Sequence, residues 1–369
     1  MKDLAIIGAS YLQLPLIEKA KEMGYVTHVF AWAADDVGEK AADVFYPVSI
    51  TEKEIILEKC REIGICGICS IASDLAAITV NYVANELGLP GNSMECTRKS
   101  TNKHLMRQSF EENGDPSPKS ILVDEKTDLA SLGLTYPLIV KPTDRSGSRG
   151  IYKLDSPEKL KESVIAAMAE GFEKKALIEE YVEGQEYSVE GISFHGEHTI
   201  LAVTEKTTNG APHFIEIRHL QPAPIRRELY EKICGVVIHA LDTLGITNGA
   251  SHSEIRIDEK ENIRIIEIGG RMGGGCIGSD LVLYSTGKDY VRMVIQVACG
   301  MAPDLRSVRQ SEKVESVFIL DEKDDLEYKR LLRESSSIIR TAFYQPELFG
   351  KATDESKRAG CYIRKATDE

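Results

Sequence analysis

The sequence predicts a mixed α/β and α+β protein built from more than one domain. Strands and helices alternate regularly through the first ninety residues, and longer-spaced strands take over beyond residue 116. At 369 residues the chain can bury two or three cores. Its formal net charge of −13 argues against nucleic acid as a partner, which calls for a basic face. An acidic chain can still hold phosphates with a few local lysines.

In the first ninety residues, strands are expected over 4–8, 25–31 and 65–71, and helices over 12–23, 52–63 and 75–87. Such alternation implies a parallel sheet covered on both faces, a Rossmann-like domain. The first turn, Gly8-Ala9-Ser10-Tyr11-Leu12, lacks the later glycines of a dinucleotide fingerprint, and no acidic residue ends the second strand. Nicotinamide binding, and with it a dehydrogenase, is therefore disfavoured. A helix follows over 97–112, broken by Asn113-Gly114-Asp115-Pro116. Strands are then expected over 137–141, 151–154, 176–182, 186–194, 199–204 and 213–220, with helices over 157–169 and 226–244. The polar, weakly patterned stretch from Val314 reads as a small strand-rich appendage.

The N-terminal run reads as a strand rather than a secretion signal, and no segment approaches the roughly 18 apolar residues of a membrane helix. Eight cysteines scattered through apolar segments fit reduced thiols and a cytoplasmic location. Cys66 and Cys69 form a CxxC, but residues three apart on a strand face opposite ways, so a structural role is expected.

The chemistry concentrates in residues 251–275. Two strands around a polar loop of about four residues, centred on Lys260 and Glu261, would set Glu254 opposite Glu267. Carboxylates so placed, with Cβ atoms roughly 5 Å apart, repel. A divalent cation relieves that repulsion, and magnesium uses one or two carboxylates together with substrate phosphates. Directly after Glu267 comes Gly269-Gly270-Arg271-Met272-Gly273-Gly274-Gly275, a glycine-dense run suited to close approach of an anion, with one arginine to neutralise it. Upstream, Lys141 ends an apolar strand and precedes the small, donor-rich loop Ser146, Gly147, Ser148, Arg149 and Gly150. This suits a flap over phosphates; the order of residues rules out a Walker A loop. Between the two, residues 176–190 read as a strand, a glycine bend and a second strand, a hinge between subdomains.

In this order and spacing the pieces resemble the ATP-grasp superfamily, over about residues 1–303. The resemblance implies a Rossmann-like domain over 1–95 and a linker helix with a lid subdomain over 96–185. A metal-binding subdomain over 186–310 and a small C-terminal appendage over 311–369 would follow. It further implies ATP and Mg2+ (or Mn2+) as cofactors, with Lys103 and Lys141 as phosphate lysines and the 146–150 loop as the phosphate flap. Glu179, Glu180 and Val182 match the adenine hinge, Glu186 the ribose carboxylate, and Glu254 and Glu267 the metal ligands. Arg271 matches the arginine that steadies an acyl phosphate, with Lys141 sharing the catalytic work. Two departures stand out: Asn102 where many members have Asp, and Gly269 where many have a metal-binding Asn. The glycine-rich tail and the stretch around His213, Glu216 and His219 lie nearest the amino-acid-ligase and carbamoyl-phosphate-synthetase-like members. The three residues alternate in a way compatible with lining an acceptor pocket.

The implied activity is ligation of a small-molecule carboxylate to an amine or other nucleophile. Neither nucleic acid nor membrane is an expected partner, and a homodimer is compatible with the resemblance. The alternative is a nucleotide-binding regulatory protein with little catalysis, kept in view by Gly269.

Overall fold

The N-terminal alternation forms a four-stranded parallel sheet in the order β3-β2-β1-β4. Its elements are β1 (Lys2–Ile7), α1 (Leu14–Glu22), β2 (Tyr25–Ala31), α2 (Val37–Ala41), β3 (Val44–Pro47), α3 (Lys53–Ile63), β4 (Gly67–Cys69) and α4 (Asp74–Leu87). The computed structural model describes residues 2–210, 214–334, 337–354 and 357–366. The elements α2 and β3 were not expected from the sequence; both are too short for a periodic pattern to show. Leu4, Ile6, Leu16 and Val29 fill one side of the sheet, and Ala5, Ile7, Phe30 and Ile56 the other, as strands covered on two faces require.

The single helix expected over 97–112 is two helices, α5 (Met94–Thr101) and α6 (Lys103–Asn113). Asn102 between them is extended, and its side chain accepts from the backbone N–H groups of His104 and Leu105 at 3.0 and 3.1 Å. An asparagine caps a helix as well as an aspartate does, so the first departure keeps the local structure.

A four-stranded antiparallel sheet follows in the order β5-β8-β6-β7, from β5 (Ser120–Val123), β6 (Leu138–Pro142), β7 (Tyr152–Leu154) and β8 (Ala176–Glu180). Helix α7 (Leu160–Glu170) covers it through Leu160, Val164 and Ala167. The largest sheet has eight strands. They are β9 (Gln185–Phe194), β10 (Glu197–Thr208), β11 (Glu216–Gln221), β12 (Gly249–Ile257), β13 (Ile263–Gly269), β14 (Val314–Ile319), β15 (Ile338–Tyr344) and β16 (Gly360–Lys365). Their spatial order is β13-β12-β9-β10-β11-β14-β16-β15. Helix α8 (Arg227–Leu244) lays Ile233, Val237, Ala240 and Leu241, a one-sided helical stripe, on Val203, Ile255 and Ile265. Helices α9 (Val282–Thr286), α10 (Tyr290–Ala298) and α11 (Glu322–Glu334) complete the chain, α10 packing against α1.

Residues beyond 313 do not hang from the body as an appendage. Strand β14 pairs with β11 and carries β16 and β15 outward, because Val314 and Phe318 have apolar partners in Cys276, Ile277 and Leu281. The CxxC sulfurs diverge: Cys66 approaches Cys299 with its Sγ at 3.8 Å, Cys69 enters the core, and all eight cysteines are free. Among the described residues no helix is long and apolar enough to cross a membrane.

Candidate functional site

A cavity of about 440 Å³ lies where the eight-stranded sheet and the four-stranded antiparallel sheet meet the N-terminal domain. Lys103, at the start of α6, donates to the carbonyl of Arg145 at 2.7 Å and to Glu267 Oε1 at 2.8 Å. One turn on, Arg107 places its Nε 2.9 Å from Glu179 Oε1 and donates to the carbonyl of Ile266. Lys141 on β6 reaches Glu179 Oε2 at 2.6 Å. Three buried cations thus share two carboxylates, an excess of positive charge that suits a polyanion. Burial, with Arg107 and Lys103 adding to it, outweighs Glu179 and holds the Lys141 ammonium below the usual lysine value. Burial pushes the Glu179 carboxyl up, but Arg107 and Lys141 prevail and hold it below the usual carboxylate range.

Ser146, Gly147, Ser148 and Arg149 line the cavity above these lysines. Gly147, Ser148 and Gly150 all have positive φ, which curls the loop back on itself. Gly150 lies outside the lining; a Cβ there would meet Glu170 at 3.1 Å.

The expected hinge needs correction. Glu180 and Val182 line the cavity, and the Val182 carbonyl accepts from Arg256 at 3.0 Å. Glu179 faces Lys141 and Arg107 instead, because it lies opposite Ile139 on β6, beside Lys141, and both its oxygens engage cations. Gly184 makes the bend: its φ is +118°, and a Cβ would lie 2.2 Å from the Ile257 carbonyl oxygen.

Glu254 does face Glu267 across the β12–β13 pair. The loop is longer than expected: Ile257 pairs with Ile263, and a bulge at Glu254 and Ile255 restores the carboxylate pairing. The two offer the hard oxygen donors that magnesium takes, in a cavity also lined by Lys103 and Lys141, and so fit the ion. Each is also held by an ammonium, Glu267 by Lys103 and Glu254 by Lys206 at 2.6 Å. Burial opposes the charge on Glu254, but Lys206 and His252 hold its carboxyl well below the usual range.

Lys206 was not anticipated. Its Nζ lies 3.2 Å from Glu186, 2.5 Å from Glu216 and 2.6 Å from Glu254. Among the described residues these three form the one group of three or more candidate ligands close enough to share an ion, and Lys206 supplies the cation. Burial lowers its pKa, but the three carboxylates raise it well above the lysine value. Glu186, expected at the ribose, therefore also answers to Lys206 and to Arg256 at 3.1 Å.

Arg271 lines the cavity, bound bidentately by Asp74 of the N-terminal domain at 2.9 and 3.1 Å. The glycines after it serve packing as much as ligand approach. A Cβ on Gly273 would stand 2.6 Å from His252 Nδ1, and one on Gly275 would stand 2.8 Å from His219. Beneath Gly273, His252 bonds Glu190 at 2.5 Å; burial lowers its pKa, yet Glu190 and Glu254 push it up to about 9.

Tyr11, Leu12, Phe214, Phe343, Gln345 and Arg358 also line the cavity. Tyr11 and Phe343 contact ring to ring at 4.3 Å, and the Arg358 guanidinium lies 3.8 Å over Phe318 and bonds Glu216 at 3.3 Å. Of the acceptor trio, Glu216 lines the cavity, His219 is buried below it, and His213 lies outside the described residues. No motif announced this wall, since three remote segments build it. For Arg107 a signal existed: it follows Lys103 by four residues on one helical face.

A family model described as an ATP-grasp domain matches residues 134–280. Alanine–anticapsin ligase of Bacillus subtilis is 25% identical over 308 residues, covering 73% of this chain and 64% of the relative. D-alanine–D-alanine ligase of Actinobacillus succinogenes is 28% identical over 209 residues, covering 55% and 60%. The chain thus spans less than two thirds of the length of these curated relatives. The crystal structure of an L-amino acid ligase from Bacillus licheniformis superposes with a TM-score of 0.84 at 23% identity, covering all of this chain and 94% of that one. The fold, the cavity and the matched segment agree: residues 134–280 match an ATP-grasp domain, and the chain shares its fold with the L-amino acid ligase structure.

Proposed function

We propose that the chain is an ATP- and magnesium-dependent ligase that joins a small-molecule carboxylate to an amine or related nucleophile through an acyl phosphate. The observation that carries this reading is the convergence of Lys103 and Lys141 on the cavity beside the Glu254–Glu267 pair, with Arg107 behind them on Glu179. Lys103 and Lys141 hold the phosphates, Ser146, Gly147, Ser148 and Arg149 close over them, and Glu180, Val182 and Glu186 hold the nucleoside. Glu254 and Glu267 would hold magnesium (manganese being the expected substitute), which when bound neutralises phosphate oxygens in transfer.

The substrate carboxylate attacks the γ-phosphoryl group and ADP leaves. The nucleophile then attacks the acyl carbon and phosphate leaves, Arg271 countering the developing negative charge. Closure of the flap keeps water from the acyl phosphate. The named relatives join amino acids, which favours an amide or peptide-like product. The free thiols suit work in a reducing cytoplasm.

The test is phosphate release from Mg-ATP across a panel of amino acids, small carboxylates, ammonia and bicarbonate. Release stimulated by one carboxylate–nucleophile pair supports the ligase. Silence, with MgADP still protecting against thermal unfolding, would favour the regulatory nucleotide-binding reading.

A further inference from the structure

We infer that Asp74 is a positioning residue for Arg271, and that residue 269 is glycine in order to seat their ion pair. The inference rests on the ligase reading in one respect, that Arg271 acts at the transferring group. Gly269 has no positive φ, so its backbone conformation is open to any residue. Space is what excludes a side chain. A Cβ at this position would lie 3.0 Å from Asp74 Oδ1 and 3.3 Å from both Cζ and Nε of Arg271. Contacts that tight require a neighbour to give way, and the atoms met are those that make the pair.

Neither partner has slack. Asp74 Oδ1 and Oδ2 accept from Nε and Nη2 of Arg271 at 2.9 and 3.1 Å, and Nη1 donates to the carbonyl of Met272 at 3.3 Å. The guanidinium is thereby fixed along both edges. Asp74 is fixed in turn as the first residue of α4, capped by Ser73, whose Oγ accepts from Ala76 at 3.2 Å. The loop before it is tied to the glycine run, Ala72 N–H donating to the Met272 carbonyl at 3.1 Å. Both members of the pair line the cavity. A cation oriented before the reaction stabilises developing charge without reorganising, and here the N-terminal domain supplies the orientation. The site is incomplete without that domain. Where the superfamily resemblance places an asparagine, the Asp74 carboxylate takes the room.

The experiment is a double-mutant cycle on the full chain with Gly269→Ala, Asp74→Ala and the pair combined, alongside Asp74→Asn. Melting without ligand and stimulated phosphate release are both measured. Asp74→Ala should lower kcat about 10²-fold, as loss of an oriented oxyanion donor does, with KM for ATP within about 2-fold. Gly269→Ala should lower kcat about 10-fold alone and add nothing to Asp74→Ala, because its Cβ then meets no carboxylate and an Arg271 already released from its partner. Asp74→Asn should recover part of the kcat lost in Asp74→Ala. Additive losses, or an Asp74→Ala enzyme with wild-type kcat, would overturn the inference. If wild type shows no stimulated release, the ligase reading and the positioning role fall together. The melting cycle still decides the seat: non-additive shifts uphold it, additive shifts overturn it.

Discussion

Glu254 and Glu267 stand opposite each other on paired strands, yet each carboxylate is held by a different lysine from a different part of the fold. Lys206 comes from the strand beyond β9, and Lys103 from the helix that leaves the N-terminal domain. Two carboxylates that would repel thereby each gain a cation of their own. Replacing either carboxylate should weaken metal–nucleotide binding while leaving the fold intact. Glu267→Gln is expected to raise the Kd for MgADP about 10-fold or more, of the order seen when a metal's surroundings lose a partner. Titration calorimetry with and without EDTA measures this. An unchanged Kd, or full ADP affinity in EDTA, would remove Glu267 from the metal site.

Glu179 is flanked by Lys141 at 2.6 Å and Arg107 at 2.9 Å and is almost wholly buried. Glu179→Gln leaves two cations without their counter-charge, and breaking a buried pair costs about 3–5 kcal/mol. Urea unfolding of the ligand-free protein should show that loss. A cost below about 1 kcal/mol would mean that water reaches the group and that the cation excess is screened.

Lys206 fills the place of an ion among Glu186, Glu216 and Glu254, whose oxygens lie within 4.8 Å of one another. Lys206→Met should destabilise the chain by about 3–5 kcal/mol for the same reason. It should also open a three-carboxylate site that takes a hard cation. Millimolar Mn2+ is therefore expected to raise the melting temperature of the variant more than that of wild type. Equal shifts in the two would contradict the ion-like role of Lys206.

Much of this site was legible because it is local in sequence. The Glu254–Glu267 pairing needed only a hairpin, although its loop was read one residue short and the bulge at Glu254 and Ile255 made up the difference. Lys141 was legible as a charge ending an apolar strand. The glycine run was legible as a place of close approach, but what approaches at Gly273 and Gly275 is a pair of buried histidines, which composition cannot reveal. Asp74, Lys206 and Arg358 were invisible because their partners lie tens to hundreds of residues away and meet only through sheet topology. Asn102 hid a helix break, since its cap looks like one more polar residue in a continuous helix.

His239 on α8 gives a pH-dependent element far from the cavity. Its Nδ1 lies 2.7 Å from Asp115 Oδ1, and the hydrogen bond and charge of Asp115 raise its pKa above the usual histidine value. A raised pKa means that the pair's contribution is fully present below about pH 6.5 and is lost as pH rises through the folded-state value. The ring is largely exposed, so the contribution should stay below about 1 kcal/mol. The stability difference between wild type and His239→Gln should thus favour wild type at low pH and shrink above neutrality. A difference that grows with pH would reverse the assignment.

Arg358 tests whether the C-terminal strands belong to the acceptor end of the site. Its guanidinium stacks on Phe318 and bonds Glu216, and it lines the cavity with Phe343 and Gln345. Removing it leaves Glu216 balanced by Lys206 and His219, so the fold should tolerate the change better than loss of Lys206. Arg358→Ala is therefore expected to raise KM for the carboxylate or nucleophile about 10-fold, the scale of a lost charge-assisted contact. KM for ATP should stay within about 2-fold in the same variant. A rise in KM for ATP alone would place the nucleotide against the C-terminal strands instead. Unchanged constants for every substrate would confine Arg358 to bracing Glu216 beneath the cavity wall.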